Sequence, residues 1–157
     1  MGNFKVSEFL QVAIRIEENG EKLYHHAGTL SDDPKIKELF AFLAGEETKH
    51  KKTFTEMVSK MENYEPPETY PGEYFAYLRA YADSLVFSPE EVEEELEDIL
   101  DVDEAVEFAM EREIESILYY LEAKALVPKG QAEALDKVVS EERRHYLKLV
   151  ELKRSLD

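Results

Sequence analysis

Apolar residues recur at intervals of three and four through four long stretches of the chain, the spacing of helices that each bury one face. In the first, Val6, Leu10, Ala13, Ile16, Leu23 and Ala27 trace one stripe, with Ser7 as N-cap and Gly28 as the stop, which predicts a helix over about 7–28. Asp33 followed by Pro34 is a cap and a first-turn proline; from there Ile36, Leu39, Phe40 and Leu43, then Phe54, Met57, Val58 and Met61, predict a second helix over about 34–62. The third starts at Asp101 or Asp103, carries Val106, Ala109, Ser116, Tyr120 and Ala123 on one face and runs over about 102–126. After a break at VPKG the fourth takes about 131–155, with Leu135, Val138, Val139, Leu149 and Leu152 inward. The short first connection makes its two helices antiparallel neighbours.

Between about 63 and 100 the pattern breaks. Pro66, Pro67, Pro71 and Gly72 rule out continuous helix, and Tyr70, Tyr74, Phe75, Tyr77 and Tyr81 form an aromatic cluster. The expectation is a long crossover with one short helix from near Glu73 and another capped by Ser88 ahead of Pro89. The aromatics read as a lid packed on the bundle, with a tyrosine-rich dimer surface as the alternative. The fold class expected is therefore all-α, one domain over 1–157: a four-helix bundle with a long crossover between its second and third helices.

Each long stripe is interrupted by charge. Glu17 falls on the inward face of the first helix between Ala13 and Gly20; Glu47 and His50 fill the gap in the second; Glu113 sits mid-stripe in the third; Glu142 and His145 fill the gap in the fourth. A carboxylate facing a core costs several kcal/mol on the order of magnitude unless it is paired or holds a metal. The interruptions repeat. AIRIEENGEKLYHHA and AMEREIESILYYLEA share alanine, a glutamate four later and a tyrosine seven after that, and Glu-x-x-His occurs in both LAGEETKHKKTF and SEERRHYLKL. Glu17 and Glu47 are 30 residues apart, Glu113 and Glu142 29, so each pair lies nearly equidistant from its connecting turn. At about 1.5 Å rise per residue, antiparallel helices bring such pairs level, and four carboxylates and two imidazoles converge at one depth. Their charge of −4 matches two divalent cations, whereas four bare carboxylates in one core would repel and take up protons. Oxygen and nitrogen donors suit iron or manganese, or a mixture, and are compatible with zinc.

Composition narrows the partners. The 157 residues hold 36 acids against 19 bases, a net charge of −17 that repels phosphate backbones and anionic lipid, so neither nucleic acid nor a membrane is expected. No apolar run approaches the roughly 20 residues of a membrane span, and MGNFKVSEFL offers no signal-peptide core, so a cytoplasmic location is expected. Without cysteine there is no disulfide, thiolate ligand or iron–sulfur site.

One glutamate from each of two helices with Glu-x-x-His from each of two others is the ferritin-like di-metal pattern. Within that superfamily AIRIEENGEKLYHHA, LAGEETKHKKTF and SEERRHYLKL resemble rubrerythrins. The resemblance implies an oxo-bridged di-iron centre reacting with peroxide or dioxygen, Glu17 and Glu113 as terminal or bridging acids, and Glu47, His50, Glu142 and His145 as the paired ligands. Two departures stand out. Peroxide-reducing rubrerythrins usually have a further glutamate one turn after the third-helix ligand, where this chain has Ser116, and many carry a rubredoxin domain, which needs cysteine.

Three functions compete. The first is an oxidoreductase reducing hydrogen peroxide or dioxygen with electrons from an external donor protein, in a chain that could form a homodimer. The second is iron storage or metal buffering, motivated by acidity and set against the dozen or so residues that follow His145. The third is a structural bundle with vestigial ligands. Tyr24 and Tyr120 lie at plain core spacing, so packing is expected of them ahead of donation to a ligand. His25 and His26 read as surface residues, and Glu46 and Glu141 as either solvated or in contact with a ligand.

Overall fold

The computed structural model describes residues 5–61, 63–64, 72–85 and 88–157. These form six helices: α1 Val6–Thr29, α2 Pro34–Met61, α3 Gly72–Leu85, α4 Pro89–Glu97, α5 Val102–Leu126 and α6 Lys129–Leu156. Among the described residues there is no strand. Four long helices build an antiparallel bundle in which α1 pairs with α2, α5 pairs with α6, and the two hairpins meet along α1 and α5. This is the all-α four-helix bundle with a long crossover between α2 and α5 that the periodicities predict. Pro66, Pro67, Tyr70, Pro71 and Glu62, the expected end of the second helix, lie outside the described residues.

The caps follow local chemistry with two corrections. Asp33 accepts from the Lys35 amide at 2.9 Å, Ser88 from the Glu91 amide at 3.2 Å, and Asp101 from the Glu104 amide at 2.8 Å, each satisfying a donor left over in a first turn. Ser7 is not a cap. The helix already begins at Val6, Ser7 is buried in its first turn, and the Glu8 carboxylate reaches back to the Lys5 amide at 3.3 Å instead. The last helix starts at Lys129, two residues earlier than expected, because Pro128 supplies the extended entry and Gly130 is tolerated in the exposed first turn.

The crossover aromatics divide. Tyr81 donates to the Glu115 carbonyl at 2.8 Å and Tyr74 to the Glu122 carboxylate at 2.7 Å, while Leu78, Ala82 and Leu85 bury α3 against the bundle, so most of the cluster packs as a lid. Tyr77 stays over half exposed, stacked on Tyr81.

Two apolar cores result. One joins Phe9, Leu10, Ala13 and Ile16 to Phe54, Met57, Ile117, Tyr120, Leu135 and Val139; the other joins Leu23, Ala27, Phe40 and Leu43 to Ala105, Val106 and Leu149. Tyr119 is anchored in the first by stacking on Phe9 at 4.0 Å and donating to its carbonyl at 2.9 Å. Between the cores lies a layer of charge. No described helix is long and apolar enough to cross a membrane.

Candidate metal centre

The intervening layer consists of Glu17, Glu47, His50, Glu113, Glu142 and His145, none more than 5% exposed. α1 and α5 each contribute one carboxylate; α2 and α6 each contribute a carboxylate and, three residues on, an imidazole on the same face. The six fall into two overlapping groups whose donor atoms lie within 4.8 Å of one another: Glu17, Glu47, His50 and Glu142, and Glu47, Glu113, Glu142 and His145. Glu47 and Glu142 belong to both. Two cations, if bound, would be held one by each group, with Glu47 and Glu142 available to both and Glu17 and Glu113 each to one. All six residues expected from the sequence are thus brought together.

The imidazoles lie side by side, centroids 5.7 Å apart, with both Nδ1 atoms toward the carboxylates. Nδ1 of His50 is 2.7 Å from Glu142 and 3.6 Å from Glu17; Nδ1 of His145 is 3.8 Å from Glu142 and 3.9 Å from Glu113. Burial and the charge of Glu142 push Glu17 up to about 8. Burial works against a charged His50, but its contacts with Glu142 and Glu17 prevail and raise it to about 11. Burial would also raise Glu142, yet the imidazoles of His145 and His50 outweigh it and hold this carboxylate below its ordinary value. Protein groups alone therefore balance the layer's charge only by retaining protons.

Several observations fit cations in that layer. Oε2 of Glu17, Oε2 of Glu113 and Nδ1 of His145 are buried with no hydrogen-bond partner in the protein, although such groups are almost always satisfied. The shared carboxylate of Glu47 rests against Gly20, where a Cβ would come within 3.1 Å of its Cδ; α1 thus leaves room for it by carrying no side chain there. The donor set, four carboxylates and two imidazoles, suits iron, manganese or zinc.

Three features went beyond the sequence reading. Tyr24 and Tyr120 do pack in the core, but each also donates across the bundle: Tyr24 of α1 to Glu113 of α5, and Tyr120 of α5 to Glu17 of α1 at 2.6 Å. Core spacing hid this, because it reports the buried face without showing where a hydroxyl at the end of a ring points. Burial raises both phenols well above their usual range, so they remain donors. Glu141 lies 2.6 Å from Nε2 of His50, whereas Glu46 turns to Lys49 at 3.6 Å. His26 is not a free surface residue; its Nε2 lies 3.0 Å from the Ile99 carbonyl and ties α1 to the segment before α5, while His25 is exposed beside Glu21.

A family model for rubrerythrin matches residues 8–153. Among solved structures the chain is similar to that of a Thermotoga maritima protein described as a ferritin-like diiron-carboxylate protein. Identity is 26%, coverage 100% of this chain and 99% of the other, and the TM-score 0.66. No curated protein matches. The family match takes in nearly all of the four long helices and all six buried donors, and the chain belongs to the rubrerythrin family of ferritin-like diiron-carboxylate proteins.

Proposed function

We propose that the protein is an oxidoreductase that binds two redox-active divalent ions, iron or manganese, and reduces hydrogen peroxide or dioxygen with electrons from an external carrier protein. The observation that carries this reading is the pair of overlapping four-residue groups sharing Glu47 and Glu142, buried between two apolar cores. Two such ions would supply Lewis acidity and an electron pair, which with two protons converts one peroxide to two waters. The chain's own contribution is positional. Tyr24 and Tyr120 hold the terminal carboxylates in place, Gly20 makes room for a shared one, and the apolar cores above and below exclude bulk water. Ser116 stands where peroxide-reducing relatives usually add a carboxylate, so the site is expected to work with four acids.

The test is anaerobic loading with ferrous iron, then stopped-flow mixing with peroxide and, separately, with dioxygen. Two irons per chain and oxidation at a rate first order in oxidant support the reading. A loaded centre inert to both sinks it, and assembly into a large hollow shell that mineralises excess iron would favour storage instead.

A further inference from the structure

The sequence treats the two Glu-x-x-His helices alike: each has a glutamate directly before the ligand acid, Glu46 before Glu47 and Glu141 before Glu142. The fold does not. Glu141 crosses from α6 to α2 and meets Nε2 of His50 at 2.6 Å. Glu46 instead faces Lys49 of its own helix and does not cross to α6, and the His145 ring meets the edge of Phe42, centroids 6.2 Å apart and planes 86° to each other. Glu141 and His50 line a groove of about 400 Å³ between α2 and α6, together with Glu46, Lys49, Thr53 and Lys137. Glu141 is 20% exposed there, and His50 is buried beneath it.

A carboxylate can only accept, so at this contact Nε2 of His50 carries the hydrogen and donates it. That leaves Nδ1, the atom facing Glu17 and Glu142, as the nitrogen able to bind a cation, and it raises the ring's basicity toward one. Among the described residues no carboxylate backs His145 in this way: its carboxylate neighbours, Glu113 and Glu142, both lie at Nδ1. Resting on the two-ion reading above, we propose that Glu141 is a positioning residue that makes the two cation positions unequal. The position served by Glu17 and His50 fills first and holds its ion more tightly than the one served by Glu113 and His145.

The experiment is stepwise titration of metal-stripped protein with Co²⁺, followed by its visible d–d bands and by calorimetry, without any turnover. Wild type is expected to fill in two steps. Glu141→Leu should weaken the first step by about 10- to 100-fold and merge it with the second, as loss of a partner behind a ligand histidine typically does. Glu141→Gln keeps an acceptor and drops the charge, and should fall between the two. Glu46→Leu should leave both steps in place, and His50→Ala but not His145→Ala should remove the tighter one. Loss of packing alone would lower both steps together, with no ordering of Gln between wild type and Leu. Two ions of indistinguishable affinity in wild type, or unchanged steps in Glu141→Leu, would overturn the proposal while leaving the two-ion reading intact. Failure to bind two ions at all would overturn both.

Discussion

The Tyr120 hydroxyl on α5 donates to Oε1 of Glu17 on α1 at 2.6 Å, and Tyr24 on α1 returns the same contact to Glu113 on α5. The two hairpins are thereby cross-linked at the level of the charged layer, each tyrosine serving the carboxylate of the opposite helix.

Tyr120→Phe should therefore cost stability as well as order. It leaves a buried carboxylate oxygen of Glu17 without its donor, a loss of about 1–3 kcal/mol. The denaturant midpoint of the metal-stripped protein should drop accordingly. Affinity for the first Co²⁺ should weaken too, because a freed Glu17 must be ordered on binding. A midpoint within error of wild type would mean that the hydroxyl is not satisfied by Glu17.

Stability of the metal-stripped protein should fall as pH rises. Glu17 is raised from 4.5 to about 8 and His50 from 6.5 to about 11, so the folded state holds protons that the unfolded chain releases. Each contribution is complete below the unfolded value and is lost as pH climbs through the folded one, between 4.5 and 8 for Glu17 and between 6.5 and 11 for His50. Glu142, lowered by its imidazole neighbours, acts oppositely and matters only in acid. Urea unfolding from pH 5 to 9 checks this: a falling curve without metal and a flatter one with it are expected, whereas a rising curve without metal would contradict the assignment.

The glutamates should not respond alike to amide substitution. Glu17→Gln replaces a group that stays protonated in the folded protein at neutral pH but ionises in the unfolded chain, so metal-stripped stability should change little below pH 4.5, exceed wild type at pH 7, and lose its slope between pH 4.5 and 8. Glu142→Gln strands the charge on His50, 2.7 Å away, and should destabilise by about 3–5 kcal/mol, as breaking a buried pair does. Each should reduce metal binding. Equal stability effects from the two would show that the charge in this layer is shared evenly.

Gly20→Ala should separate folding from binding. Alanine is about 1 kcal/mol better than glycine in a helix interior. Its Cβ would lie 3.1 Å from Cδ of Glu47 and 3.3 Å from Oε2, so the carboxylate must shift. The expected result is metal-stripped protein as stable as wild type or slightly more so, with weakened two-metal binding by calorimetry. Undiminished binding would show that Glu47 has room to spare.

Much of this was legible along the chain. Periodicity marks which residues face inward, and equal distance from a turn fixes depth along antiparallel helices, so Glu17, Glu47, His50, Glu113, Glu142 and His145 could be placed together before any coordinates. Both rules are local, since they follow from the rise and twist of a single helix. They say nothing about how far each helix is rotated against its neighbour or which rotamer a long side chain takes. Which acids are shared, where Tyr24 and Tyr120 send their hydroxyls, and why Glu141 reaches a histidine while Glu46 turns to a lysine are settled by the packing of α1 on α5 and of α2 on α6. Two stretches with the same Glu-Glu-x-x-His spelling acquire different surroundings because the helices opposite them differ, Phe42 facing one imidazole and Glu141 the other.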